Sequence, residues 1–243
     1  MRNIRVYVNQ PLSLGQPVIL EERPAHHLGH VLRLRPRDLV HAFNGRGGCY
    51  VARIDRITRR EVAIVPTEYL DEERESALNL TLAHGIARGQ RMDYTIQKAV
   101  ELGVNRIVPV LTEHAQVKLG AERLEKRLSH WHGVIISACE QCGRNRLPDM
   151  ETPLALADWA AADDNEVKLL LQPGAGPSPG SLDIQPAAVT LLCGPEGGLS
   201  EYDCRLAEEA GYRAVSLGPR TLRTETAAVA ALAVCQALWG DLR

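Results

Sequence analysis

The spacing of apolar positions changes character once along this 243-residue chain, near position 75. Before that point the pattern is one of short strands. Residues 4–8 (IRVYV) alternate apolar and polar, which predicts a half-buried strand, and residues 17–20 (PVIL) predict a second. Residues 26–32 (HHLGHVL) predict a helix with Leu28, Val31 and Leu32 on its apolar face. Residues 39–43 (LVHAF) run into Asn44-Gly45, a hairpin signal. Residues 50–57 follow, then a turn at Arg59-Arg60, then a strand at 62–65. Strands at this spacing with turn residues between them predict a small β-barrel.

A charge-dense break, DEERES at 71–76, ends that pattern and predicts a boundary between domains 1–70 and 71–243. Beyond it strands alternate with helices. Residues 78–83 predict a strand, and 88–102 an amphipathic helix with Ile96, Ala99, Val100 and Leu102 inward and Gly103 closing it. Residues 106–110 predict a strand, 121–142 a long helix, 158–162 a short one and 167–171 a further strand. Residues 172–185, rich in proline and glycine, predict a loop. This order predicts an α/β domain, a parallel sheet with helices on both faces. Pattern alone would draw it as an unknotted doubly wound sheet, because threaded loops are almost absent from proteins.

The chemistry concentrates at 188–232. The apolar run 189–193 (VTLLC) predicts a strand buried on both faces and stops at Gly194-Pro195-Glu196-Gly197-Gly198. Ser200 opens a helix with Asp203 three residues on, a near capping box, and Gly211 closes it. Residues 213–217 predict the next strand, which ends at a second Gly-Pro, Gly218-Pro219, ahead of RTLRTET at 220–226 and an alanine-rich helix reaching Trp239. Two glycine-containing loops therefore leave the same ends of two parallel strands, the edge where open α/β sheets bind ligands. Neither G-x-x-x-x-G-K-[ST] nor a helix-opening G-x-G-x-x-G is present, which argues against ATP and dinucleotides and hence against a Rossmann dehydrogenase.

Composition adds a partner. The net charge is −2, but residues 1–70 carry 11 Arg, no Lys and 6 acids, near +5, against about −7 for the remainder. Guanidinium forks bind phosphate in bidentate fashion, so this segment suits RNA. Six cysteines are scattered without a disulfide framework, as in a reducing cytosol. The single C-x-x-C, Cys139 and Cys142, lacks a second pair, and no metal is expected there or at His26, His27 and His30. The first residues carry no apolar signal core, and the longest uncharged run, 226–240, is too short to cross a bilayer. A soluble cytoplasmic protein is expected. The last helix is apolar nearly all round and needs burial on more than one side, which predicts a homodimer.

The pairing of LLCGPEGGLS (191–200) with SLGPRTLRTETAA (216–228) resembles the SPOUT superfamily of S-adenosylmethionine-dependent RNA methyltransferases. Within it the chain resembles the ribosomal RNA small subunit methyltransferase E family, which methylates N3 of a uridine in 16S rRNA. RGQRMDYTIQKAVELGV (88–104) and ACEQCGRNRLP (138–148) fit the same family, so the resemblance covers nearly the whole chain.

The resemblance implies a PUA-like RNA-binding barrel in front and a C-terminal trefoil knot whose loops cradle the cofactor. Carried onto this sequence, the cradle is Leu171, Gln172, Cys193, Gly194, Glu196, Gly197, Gly198, Leu217, Gly218, Leu222, Arg223 and Thr226. Gln141, Arg144 and Arg146, with Arg33 and Arg35 from the front domain, are the expected RNA contacts. The uracil N3 keeps its proton at neutral pH, so a group must remove it and a cation must steady the anion left on the ring oxygens. Arg223 is the first candidate for that cation, Arg220 the second, and Glu196 a candidate base. The expected partners are the 16S rRNA of the small ribosomal subunit and a second copy of the chain. The competing readings are a methyltransferase of this fold acting on tRNA or 23S rRNA, and a non-catalytic RNA-binding protein.

Overall fold

A computed structural model describes residues 4–58, 61–114 and 121–242. The turn expected at Arg59-Arg60 lies outside them. The chain divides into two compact units: Met1–Glu75 with Cys139–Leu147, and Ser76–Ala138 with Pro148–Arg243.

In the first unit, strands β1 (Arg5–Tyr7), β2 (Val18–Ile19), β3 (Leu39–Phe43), β4 (Cys49–Ile57) and β5 (Val62–Leu70) form one sheet in the order β1-β3-β4-β5-β2. β1 and β3 run parallel, the other neighbours antiparallel. Two register shifts between β4 and β5, at Val51/Ala52 and Ile54/Arg56, curl the sheet as bulges do. The hairpin joining β3 to β4 turns at Asn44-Gly45, where Gly45 takes a φ of +82°. Val6, Leu28, Val40, Ala42, Ile54 and Ile64 fill the curl, each at most 1 % exposed.

The helix expected at 26–32 begins earlier and is not regular. α1 (Glu22–His26) runs into a π-turn at His27–Val31, closed by Leu32 N–H donating to His27 C=O at 2.9 Å. Leu28 is fully buried, as expected, but Val31 is 58 % exposed. A five-residue closure rotates positions off the face that a 3.6-residue period predicts.

The second unit is built on β6 (Asn79–Gly85), β7 (Arg106–Leu111), β8 (Asp149–Met150), β9 (Leu154–Ala155), β10 (Val167–Leu171), β11 (Ala188–Cys193) and β12 (Arg213–Val215). Their order is β12-β10-β11-β6-β7-β8, with β9 also against β7, and every pairing is parallel. The helices are α2 (Gln90–Glu101), α3 (Ala121–Cys142), α4 (Leu156–Ala162), α5 (Glu201–Glu209) and α6 (Thr224–Trp239). Ala83, Val108, Leu170 and Leu192 pack with Leu156 and Trp159 of α4 and Ala207 of α5. Their neighbours along the strands, Leu82, Ile107, Leu169 and Leu191, are fully buried and point the other way by the period of two. α6 packs against β6, β11 and α2. The parallel sheet expected of the sequence is therefore present, flanked by helices.

The capping box foreseen at Ser200 is fully formed. Asp203 N–H donates to Ser200 Oγ at 3.0 Å and Ser200 N–H to the Asp203 carboxylate at 3.1 Å. α6 opens at Thr224, two residues before the expected start, with Arg223 as its N-cap. The strand expected over 213–217 stops at Val215, which releases Ser216 and Leu217 into the following loop.

Candidate active site

Parallel pairing brings the carboxyl ends of four strands to one edge. Leu171 of β10 lies level with Val215 of β12, and Cys193 of β11 level with His84 of β6. Both glycine–proline turns leave from this edge, as in other open α/β sheets that bind ligands there.

The turn after β12 makes a recess. Leu171, Gln172 and Pro173 form one wall, and Val215, Ser216, Leu217, Gly218, Arg220, Leu222 and Ala227 the rest. The walls are mostly aliphatic, with backbone and a few polar side chains at the rim. Gln172 N–H donates to Val215 C=O at 3.0 Å and Ser216 N–H to Pro177 C=O at 3.1 Å, which pins the loop after β10 across β12. Gly218 takes a φ of +94°, and a Cβ built on it would meet nothing within 4 Å. Glycine there leaves the cradle open to a close ligand.

The turn after β11 is locked instead. Gly85, at the end of β6, abuts it so closely that a Cβ there would fall 2.4 Å from Pro195 Cδ. Gly198 N–H closes the turn on Pro195 C=O at 2.9 Å, and Thr224 Oγ1–H donates to Gly194 C=O at 2.5 Å. The Glu196 carboxylate accepts from Arg88 N–H at 2.8 Å and from Arg91 Nη1 at 3.0 Å, tying the turn to the start of α2. Burial alone would raise the Glu196 pKa, but these hydrogen bonds and the Arg91 charge outweigh it and hold the group below the usual carboxylate range.

Beneath the turn lies His84, fully buried. Its Nδ1–H donates to Gly85 C=O at 2.7 Å, and its Nε2 stands 3.3 Å from Thr224 Oγ1. Burial depresses its pKa, against the opposing effect of those two contacts, and keeps the ring neutral. Cys193 is buried as well, and burial pushes its thiol pKa far up.

Of the residues expected in the cofactor cradle, the recess gathers Leu171, Gln172, Leu217, Gly218 and Leu222. Cys193, Gly194, Glu196, Gly197 and Gly198 lie in or beside the locked turn, outside the walls of the recess. Arg223 is exposed at the mouth of α6, Thr226 is exposed in its first turn, and Arg220 lines the recess.

Four residues at this edge escaped the sequence reading: His84, Arg91, Thr224 and Glu225. Glu225 faces Arg91 Nε at 3.9 Å, and its buried Oε2 has no hydrogen-bond partner among the described residues. Thr224 and Glu225 sit inside the 216–228 motif, but nothing in local spacing separates them from their neighbours.

In the first unit, Arg33 and Arg35 are exposed on the segment after the π-turn, and Arg33 takes a φ of +54°. Arg146 is 55 % exposed, 3.6 Å from Glu73, and Gln141 is exposed at the end of α3. Arg144 differs from these. It is 3 % exposed, and its fork closes on Glu75 through Nε–Oε1 at 3.0 Å and Nη2–Oε2 at 2.6 Å. The adjacent Asn145 is also tied inward: its Nδ2 donates to Glu72 C=O and its Oδ1 accepts from Arg5 Nη2. The guanidinium of Arg144 is thus committed to holding this segment within the unit. Among the described residues no three His, Cys, Asp or Glu side chains converge as metal ligands would, all six cysteines are free, and no helix is long and apolar enough to cross a membrane.

Comparison with known proteins carries this geometry to a family. Residues 74–236 match the model of the RNA methyltransferase domain, and residues 20–67 that of the RNA methyltransferase PUA domain. The chain is 33 % identical over 239 residues to ribosomal RNA small subunit methyltransferase E of Buchnera aphidicola subsp. Schizaphis graminum, covering 98 % of this chain and 97 % of that one. It belongs to the ribosomal RNA small subunit methyltransferase E family.

Two solved structures of similar proteins span the whole chain. A family member from Neisseria gonorrhoeae, bound to S-adenosyl methionine, shares 38 % identity at a TM-score of 0.93 with full coverage of both chains. A protein from Legionella pneumophila in complex with the same cofactor shares 40 % identity at a TM-score of 0.96, again with full coverage of both. Membership in this family accounts for both units: a curled N-terminal sheet of PUA type and a parallel-sheet methyltransferase domain.

Proposed function

We propose that this chain transfers a methyl group from S-adenosylmethionine to N3 of a uridine in the 16S rRNA of the small ribosomal subunit. The observation that carries the proposal is the recess at the ends of β10 and β12. Its aliphatic walls suit the faces of a purine ring, and its bare Gly218 leaves room for close approach of a nucleoside. Full-length similarity to two proteins solved with that cofactor supports the same reading.

Leu171, Gln172, Leu217, Gly218 and Leu222 would hold the cofactor, with Cys193, Gly194, Gly197, Gly198 and Thr226 framing the neighbouring turn. The bound cofactor supplies an electrophilic methyl carbon on a cationic sulfur. The chain's own task is to align the uracil with that carbon and to exclude water, which is worth several kcal/mol. Arg223, exposed at the N-cap of α6, would meet the oxygens of an incoming base, with Arg220, which lines the recess, as the second candidate. Arg33, Arg35, Gln141 and Arg146 are the proposed RNA contacts, while Arg144 serves to hold the segment that presents two of them.

The proposal keeps the trefoil knot, the assignment of residues 1–70 to RNA binding and 71–243 to catalysis, a cytoplasmic site of action, and a homodimer with the active site near the subunit contact. Elution as a monomer at micromolar concentration would count against the dimer.

Two measurements test the function. Calorimetry with S-adenosylmethionine should show one site per chain, and no binding would leave only an RNA-binding protein. Mass mapping of rRNA from a deletion strain should show loss of one N3-methyluridine from 16S rRNA. Loss from tRNA or 23S rRNA instead would keep the enzyme and change its substrate.

A further inference from the structure

We infer that Glu225, rather than Glu196, is the catalytic residue that removes the N3 proton; this rests on the uridine-N3 reading above. Two carboxylates face Arg91 at the carboxyl edge of the sheet, and they differ in what is left for a substrate to offer. Glu196 already accepts two hydrogen bonds, from Arg88 N–H at 2.8 Å and Arg91 Nη1 at 3.0 Å, and those bonds hold its proton affinity down. A group satisfied in its charged form is a poor proton acceptor.

Glu225 is the opposite case. Its side chain is only 14 % exposed, Arg91 Nε stands back at 3.9 Å, and Oε2 is buried without a donor among the described residues. A buried acceptor left unmade is costly, and the terminal torsion of a glutamate turns easily, so either oxygen can meet an arriving N–H.

Placement agrees. Thr224, the adjacent residue, bonds Gly194 at the end of β11 and stands beside His84 at the end of β6. Glu225 in the same turn of α6 is therefore held near the ends of β11 and β6. The recess lies at β10 and β12, with β10 directly beside β11. Ala227, two residues after Glu225 in the same helix, lines the recess, so a base entering beside the recess comes within reach of the first turn of α6.

In the step, the N3–H bond breaks and its proton passes to the Glu225 carboxylate. The electron pair stays on N3 and forms the new N–C bond as the C–S bond breaks, sulfur keeping that pair. The positive charge of the sulfonium and the negative charge of the carboxylate both disappear, and the carboxylic acid afterwards returns its proton to water.

The test uses the full-length protein with a 16S rRNA fragment containing the mapped uridine. Glu225→Gln should lower kcat by about 100-fold or more while calorimetry shows unchanged affinity for S-adenosylmethionine, and Glu225→Asp should recover part of the rate. Placing 5-fluorouridine, whose N3 proton is more acidic, at the target should rescue Glu225→Gln more than it accelerates the wild type.

Without cofactor, wild type should bind the uridine fragment about tenfold more tightly than one carrying N3-methyluridine, and Glu225→Ala should abolish that preference. An active wild type with Glu225→Gln within threefold of it, or equal 5-fluorouridine effects in both, would overturn the inference alone. A wild type that forms no N3-methyluridine overturns the underlying function, and this inference with it.

Discussion

The two glycine–proline turns, at 194 and 218, share a dipeptide and a place at the same sheet edge, yet they are built for different work. The first is held on every side: by Gly85 against Pro195, by Thr224 on Gly194, and by Arg88 and Arg91 on Glu196. The second borders open space, with Gly218 at positive φ and no atom near its missing Cβ. One turn is a frame and the other a cradle. Glycine serves close packing of backbone in the first and access in the second, so identical residues carry different costs when replaced.

Substitutions can break that contrast. The largest effect is expected at Gly85, where a methyl group would overlap Pro195 and the backbone must shift. Gly85→Ala should cost about 2–3 kcal/mol, read as a fall in the urea midpoint. A variant as stable as wild type would show that the frame is not rigid.

Thr224→Val removes the donor to Gly194 C=O and should cost about 1–2 kcal/mol, whereas Thr224→Ser should cost little; equal losses would assign the effect to packing instead.

Gly218→Ala should cost about 1 kcal/mol, the strain of an L-residue at positive φ, with the fold kept because the space is open. Its main effect should be a tenfold or greater loss of S-adenosylmethionine affinity by calorimetry, and unchanged affinity would move the cofactor away from this turn.

The smallest effect concerns pH. A carboxylate whose folded pKa is depressed contributes stability at pH values above its unfolded value, 4.5, and loses it as pH falls through the folded one. Glu196 should thus secure the first turn fully above pH 4.5 and release it progressively as pH falls from there through its lower folded-state pKa. The protection factor of the Arg88 amide, measured against its intrinsic exchange rate at each pH, should fall on acidification in wild type and be already low at neutral pH in Glu196→Ala.

Much of the scaffold was legible in the sequence because its signals are local. Residues 39–43 form the strand read from their apolar run, and the box at Ser200 and Asp203 has both of its bonds. Buried strands such as β11 declare themselves by continuous apolar residues. Other features had no local signal. The strands β8 and β9 are two residues long and exist only because β7 offers them an edge. The π-turn at His27–Val31 reads as an ordinary helix, and Val31 was placed on the wrong face for that reason. Arg144 and Arg146 stand two residues apart in one basic motif, but one is buried on Glu75 and the other is half exposed.

Alternation, caps and glycine placement settle which segments become strands, helices and turns, since each depends on neighbours within a few residues. The two motifs at 191–200 and 216–228 also carried the family, which comparison with known proteins then bore out. Only the folded chain decided the strand order, the locking of one turn and opening of the other, and which carboxylate beside Arg91 was left without a donor. Those depend on contacts between residues far apart in the chain, such as Glu225 with Arg91 and Thr224 with Gly194 and His84. A hydrogen bond or a vacancy belongs to a pair of positions in space, and no single stretch of sequence contains both.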